Sequence, residues 1–192
     1  MFHVIGHAPY FVVSYESMTY QDLECYMAHI GQSVQRIDPD EFLSSSSVPQ
    51  GSYMNLVHMI HHTDRSKIYQ HMADLDCERF SFTGSFIPQA SQLDGGCFVY
   101  PNVSILPNSH VGKDVILHEG TVVGHYAMVG DGTFTSMNVS IAGKANIGNF
   151  CWIGADVTIA DKVDIADHTT ILMRSIVTRS ITNTHTTYQK HR

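Results

Sequence analysis

The chain has 192 residues, 15% of them charged, with a formal charge of -7 and a pI near 5.9. That length holds one sizeable domain or a small one joined to a second, and the acidic balance excludes a polyanion-binding surface, so no nucleic acid partner is expected. The apolar run Tyr10 to Val13 is far too short to span a bilayer, and Cys25, Cys77, Cys97 and Cys151 lie at wide spacings without a CxxC, so a cytoplasmic protein with reduced thiols and no membrane partner is expected.

In chain order, YFVVS (Tyr10 to Ser14) reads as a buried strand, and TYQDLECYMAHIG as a helix capped by Thr19 and stopped by Gly31. Ser44 to Ser47, followed by Pro49 and Gly51, reads as a loop; SYMNLVHMI (Ser52 to Ile60) is a strand candidate and Asp64 to Leu75 a helix capped by Asp64. Strands alternating with helices imply a small α/β domain over residues 1–82 with a short parallel sheet. His58, His61 and His62 have a spacing that could ligate metal, but no fixed carboxylate or cysteine accompanies them, and no metal is expected.

From Ile87 a different rule takes over. Steps of six land on Leu93, Val99 and onward to Ile171, all Leu, Ile or Val except Thr135. Four residues after each comes a small or β-branched residue, in the series from Ser91 through Cys97 and Cys151 to Ser175. One bulky and one small residue per six must point into a narrow interior, a period that no helix or amphipathic hairpin has. Gly112, Gly124, Gly130, Gly148 and Gly154 directly follow the aliphatic position and are expected at the bends. Cys97 and Cys151 take the small inward phase and read as inert packing residues. The repeat defines a second domain over residues 83–180, with a polar tail at 181–192 read as disordered.

This double periodicity resembles the hexapeptide-repeat family, whose chains coil as left-handed parallel β-helices of triangular section with three hexads per turn. The resemblance implies a mainly β fold of about five turns, with the α/β domain capping one end. Around VGHYAMVGDG (Val123 to Gly132) and IAGKANIGNFCWIGADVTI (Ile141 to Ile159) the chain is similar to the sialic acid O-acetyltransferase and nucleotide-aminosugar N-acetyltransferase group. A histidine four residues before a Val-Gly pair, here His125 before Val129-Gly130, stands where that group carries its base.

The resemblance implies direct attack by a sugar amine or hydroxyl on an acyl-CoA thioester, with His125 as base and the N–H of Gly143, eighteen residues on, as oxyanion donor. It also implies acetyl-CoA as co-substrate, a sugar or nucleotide-sugar acceptor bound by the N-terminal domain, and a homotrimer with sites between subunits. Lys144, Lys162, Arg174 and Arg179, with Gly143, are the cofactor-binding candidates.

The chain also departs from the group. Tyr126 stands where an acidic residue follows the histidine, Phe134 where a second histidine lies, and His118 where a small polar residue is usual. Tyr126 and His118 therefore join His125 and Gly143 as catalytic candidates, although His118 and Glu119, one hexad earlier, are expected on another, solvated face. The glycine-rich phosphate turn is reduced to Gly6 within VIGHAPY, and a closing Gly-x-Pro-Ala is absent. Two other readings remain open, O-acetylation of a sugar hydroxyl and a scaffold that has lost catalysis; the spacing of His118 and His125 does not resemble the closer one of the β-helix carbonic anhydrases.

Overall fold

The computed structural model describes residues 3–14, 18–56 and 62–190, with backbone alone at 18, 19 and 62–64. The first part comprises β1 (His3–Ile5), β2 (Tyr10–Val13), α1 (Met18–His29), β3 (Val34–Ile37), α2 (Pro39–Ser44), β4 (Ser52–Asn55), α3 (His62–Asp74), β5 (Glu78–Arg79) and β6 (Ser81–Thr83). β3, β2, β4 and β5 lie side by side in that order as a parallel sheet, with Tyr10 opposite Val34 and Ser52.

All of β2 and β4 is buried, which their apolar residues favour and their polar ones allow through local partners. Ser52 Oγ donates to His7 O at 2.7 Å, and Asn55 Nδ2 donates to Arg65 O at 3.1 Å. The expected caps at Thr19 and Asp64 are corrected: α1 and α3 begin at Met18 and His62, so both residues lie inside their helices. Between β3 and the Ser44–Ser47 loop, α2 was not read from sequence, though Asp38 caps it (Oδ1 accepts from Asp40 N, 3.0 Å) and Pro39 opens it.

Fifteen two-residue strands, β7 (Gln92–Leu93) to β21 (Ile176–Val177), then start at every sixth residue, followed by β22 (Thr187–Tyr188). They stack at intervals of eighteen residues, as in Phe98↔Ile116↔Phe134↔Trp152, to give three parallel faces. Face I contains β8, β11, β14, β17 and β20; face II contains β9, β12, β15, β18 and β21; face III contains β7, β10, β13, β16 and β19.

From Cys97 onward every aliphatic and every small repeat position is buried. Thr135, the exception to the aliphatic series, keeps its hydroxyl inside by sharing a 3.1 Å hydrogen bond with Thr121 Oγ1. Face I is extended at one end by β6 and β1 and at the other by β22, so the solenoid has about six turns. The tail is thus not the disordered segment expected. Ile181 N donates to Asp164 O at 2.8 Å, Leu172 N to Tyr188 O at 2.9 Å and Ile176 N to Lys190 O at 3.0 Å, adding backbone partners above the last hexads.

The bends are also placed differently from expectation. Positive φ recurs at every sixth residue from Gly96 to Arg174, three residues after each aliphatic position, and not at the glycines that directly follow it. Those glycines serve stacking instead: a Cβ on Gly124 would fall 2.6 Å from Ala142 C and Gly143 N of the next coil.

The α/β part packs against the solenoid. It lies along the outer side of face I, where Tyr26 of α1 stacks on Phe82 (5.5 Å) and meets Phe98 and Tyr100 edge-on. α3 grips the corner between faces III and I: Arg65 donates to Gly132 O (3.0 Å) and to Asp114 O, and Tyr69 OH donates to Asp131 Oδ2. Burial lowers the Arg65 guanidinium to about 10 against the raising influence of Asp114. Asp114, itself fully enclosed, is raised by desolvation and held down by Arg79 (Nε to Oδ2, 3.1 Å) and Arg65.

Candidate active site

The corner joining face II to face III runs from Gly124 to Ala127, between Val122–Val123 and Met128–Val129. Val123, Ala127 and Val129 point inward and are buried, so His125 and Tyr126 are turned to the outside, where both are exposed. Lys144 N donates to His125 O at 2.9 Å, which fixes Gly143 next to His125 on the adjoining coil. The contact is close, since a Cβ on Gly143 would lie 2.7 Å from both Cε1 and Nε2 of His125. The imidazole also meets the Tyr126 ring, at 5.7 Å and 89°.

The backbone N–H of Gly143 differs from the equivalent amides at another corner of the solenoid. At the corner between faces III and I, a ladder of side chains caps the equivalent amides: Lys113 N donates to Asp131 Oδ1, Asp131 N to Asn149 Oδ1 and Asn149 N to Asp167 Oδ1, at 2.7–2.8 Å. The His125 corner has no such ladder, because Asp161, the residue one coil beyond Gly143, is turned outward with Oδ2 3.8 Å from Lys162 Nζ. Among the described residues the Gly143 N–H meets no acceptor. A fixed, unpaired donor beside an exposed imidazole is the pairing that acyl transfer requires.

Tyr126, Lys144 and Lys162 occupy the same left-handed position on successive coils (φ 58°, 62° and 58°), forming one column beside His125 and Gly143. Arg179 follows β21, where the eighteen-residue register ends: the bridge partner of Ile165 is Ile181, sixteen residues on. Arg174 does not join the column. It stands on the corner between faces I and II, with Nε 3.9 Å from Asp156 Oδ2.

His118 also lies on that other corner, but it is not solvated as expected. Its side chain is only 18% exposed, stacked on Tyr100 (4.2 Å) with Phe134 edge-on at 5.2 Å. Nδ1 lies 3.3 Å from Glu119 Oε2, while the buried Nε2 has no partner among the described residues. Burial lowers its pKa against the opposing influence of Glu119 and Asp22. Tyr100 OH donates to Asp22 Oδ2 at 2.9 Å, tying this cluster to α1 across a sequence separation that gave no signal in the sequence.

Gly6 of VIGHAPY lies between β1 and β2, ahead of the first parallel strand, and so outside the connection from β2 to α1, of which residues 15–17 are not among the described residues. A cleft of about 480 Å³, lined in part by His7, Pro9, Gln50, Asp76 and Glu78, includes none of the His125 corner residues. Cys97 and Cys151 are buried, and burial raises both thiols, Cys151 to about 11. His58 and His61 lie outside the described residues, as does the side chain of His62. Among the described residues no group of three or more His, Cys, Asp or Glu is arranged to hold a metal, and no helix is long and apolar enough to cross a membrane.

No family model matches the chain. Solved structures do. A variant of perosamine N-acetyltransferase from Caulobacter crescentus, with one histidine changed to asparagine and in complex with CoA and GDP-perosamine, superposes with a TM-score of 0.75 at 16% identity, over 92% of each chain. The acetyltransferase domain of PglB from Neisseria gonorrhoeae FA1090, in complex with acetyl coenzyme A, gives 0.62 at 12% identity, over 91% of this chain and 93% of that one. The chain has the fold of the hexapeptide-repeat β-helix acetyltransferases. WeeI from Acinetobacter baumannii AYE shares it too, with a TM-score of 0.60 at 12% identity over 94% of this chain and 96% of that one. In this acetyltransferase-fold chain the solenoid corner of His125 brings together an imidazole, an open amide and two lysines.

Proposed function

We propose that the chain transfers an acetyl group from acetyl-CoA to an amino sugar, with nucleotide-linked amino sugars as the acceptor class and His125 as general base. The observation that carries this reading is the contact between His125 and Gly143, an exposed imidazole against a backbone amide without an acceptor. The neighbouring fold adds weight, because the perosamine N-acetyltransferase holds CoA with GDP-perosamine and the PglB domain holds acetyl coenzyme A.

The chemistry follows from those two groups. The acceptor amine attacks the thioester carbonyl directly while His125 takes its proton, and the negative charge developing on the carbonyl oxygen is received by the Gly143 N–H. Collapse of the adduct expels the thiolate, which recovers the proton from His125. Lys144 and Lys162 stand one and two coils beyond Tyr126, about 5 and 10 Å along the solenoid at the usual strand spacing, suited to the coenzyme phosphates.

The same reading takes the solenoid as left-handed, residues 1–82 as an acceptor-binding domain and the active form as a homotrimer. Face II supports self-association: its outward residues Ser104, Val122, Ser140, Thr158 and Ile176 are uncharged, and exposed Leu106, Tyr126, Met137 and Met173 border it. The four cysteines are free thiols, which supports a reducing, cytoplasmic setting where acetyl-CoA is at hand. The test is release of free CoA thiol when the purified protein is given acetyl-CoA and a panel of nucleotide-linked amino sugars; acetyl-CoA consumption that depends on one of them is the expected result.

A further inference from the structure

We infer that Tyr126 and Gly143 are positioning residues that hold the His125 imidazole by packing, in place of the carboxylate that commonly orients a catalytic histidine. The inference rests on the reading of His125 as base and adds what fixes its ring.

The imidazole makes no hydrogen bond to any described residue, so its orientation has to come from contact. Two contacts supply it. The missing side chain of Gly143 leaves the space that the ring fills, and Tyr126 presents its ring perpendicular to the imidazole at 5.7 Å. Gly143 does not have a positive φ, so the glycine is there for space and not for backbone conformation.

Tyr126 carries the second part of the argument. It has φ 58°, and among the fourteen left-handed corners from Gly96 to Arg174 eight are held by Gly, Asn or Asp, the residues that tolerate this conformation. Burial does not account for a tyrosine here, as the residue is 55% exposed. Phe150 and His168, at two other such corners, belong to a ring stack that starts at Tyr69 and ends at His185. Among the described residues the only aromatic neighbour of Tyr126 is His125. A residue kept in an unfavourable conformation, exposed, with one ring contact, is explained by that contact.

The step it serves is proton transfer from the acceptor amine to His125, in which a ring free to rotate would present its nitrogens at random. Tyr126→Asn removes the ring while keeping a residue suited to the left-handed corner. It should hold or raise the melting temperature, lower kcat about 10-fold or more, and leave KM for acetyl-CoA within about twofold. Tyr126→Phe, which retains the ring, should lose no more than about threefold in kcat. With carbon-13-labelled histidine, relaxation of the His125 Cε1–H group should show a looser ring in Tyr126→Asn and a displaced one in Gly143→Ala. Undiminished kcat in Tyr126→Asn, equal damage from Phe and Asn, or an unaltered ring signal in both variants would overturn the inference. If the wild type consumes no acetyl-CoA with any acceptor, the acyltransferase reading falls by itself, and the relaxation comparison still decides whether these two residues hold the ring.

Discussion

The imidazole of His125 fills the space that a side chain on Gly143 would need, since a Cβ added to Gly143 would sit 2.7 Å from Cε1 and Nε2 alike. Gly143→Ala must therefore push the ring away while leaving the backbone unstrained. The expected outcome is a fall in kcat of about 10- to 100-fold, the scale of misplacing a reacting group by an ångström, with a melting temperature close to wild type. Steady-state kinetics beside a thermal melt would check it, and a variant with both unfolded and inactive character would point to a structural role for the glycine instead.

The lysine column makes a prediction about binding. Lys144→Ala and Lys162→Ala should each raise KM for acetyl-CoA about 3- to 10-fold with little change in kcat, and the effect should shrink as salt is added. Arg174→Ala, on another corner, should fall short of either. Initial rates across a range of ionic strength separate these outcomes.

The joint between α3 and the solenoid is predicted to be the costliest place to remove a charge. Arg65→Met leaves the enclosed Asp114 carboxylate with Arg79 alone and strips a donor from the carbonyls of Asn55, Asp114 and Gly132. Urea unfolding should show a loss of about 3–5 kcal/mol.

His118 sets a pH dependence of stability. Burial lowers its pKa in the folded chain, so the unfolded chain binds the proton more readily. Stability contributed by neutral His118 is present above the ordinary imidazole value of about 6.5, declines as pH falls from there toward the lowered folded value, and levels off below it. In urea titrations between about pH 5 and 7.5, wild type should lose more stability on acidification than His118→Phe, which keeps the stack on Tyr100 and cannot be protonated.

The solenoid was legible because its interior imposes one rule on every coil. From Val99 to Ile171 the aliphatic series is visible in the sequence, and even Thr135 is understood once its hydroxyl is seen on Thr121. Corners were less legible. A left-handed residue is betrayed by composition only where it is Gly, Asn or Asp, and at Tyr126, Lys144 and Lys162 it is none of these. The stacking of His125 on Gly143 follows from the eighteen-residue coil and was readable as adjacency, whereas the empty space that makes Gly143 necessary was not. The burial of His118 is not legible in the sequence, because the groups around it, Tyr100 and Phe134, come from neighbouring coils, and Asp22 comes from α1. The polar composition of the tail suggests disorder; backbone bonds to the last coils, which composition does not encode, hold it in place.

The most direct test of the account is a comparison of CoA thiol release by wild-type protein and by His125→Ala, with acetyl-CoA and a nucleotide-linked amino sugar that the wild type acetylates. A fall in kcat of about 100-fold or more, with coenzyme A still bound by calorimetry, is the outcome required of a general base. A His125→Ala protein that turns over at the wild-type rate would contradict it.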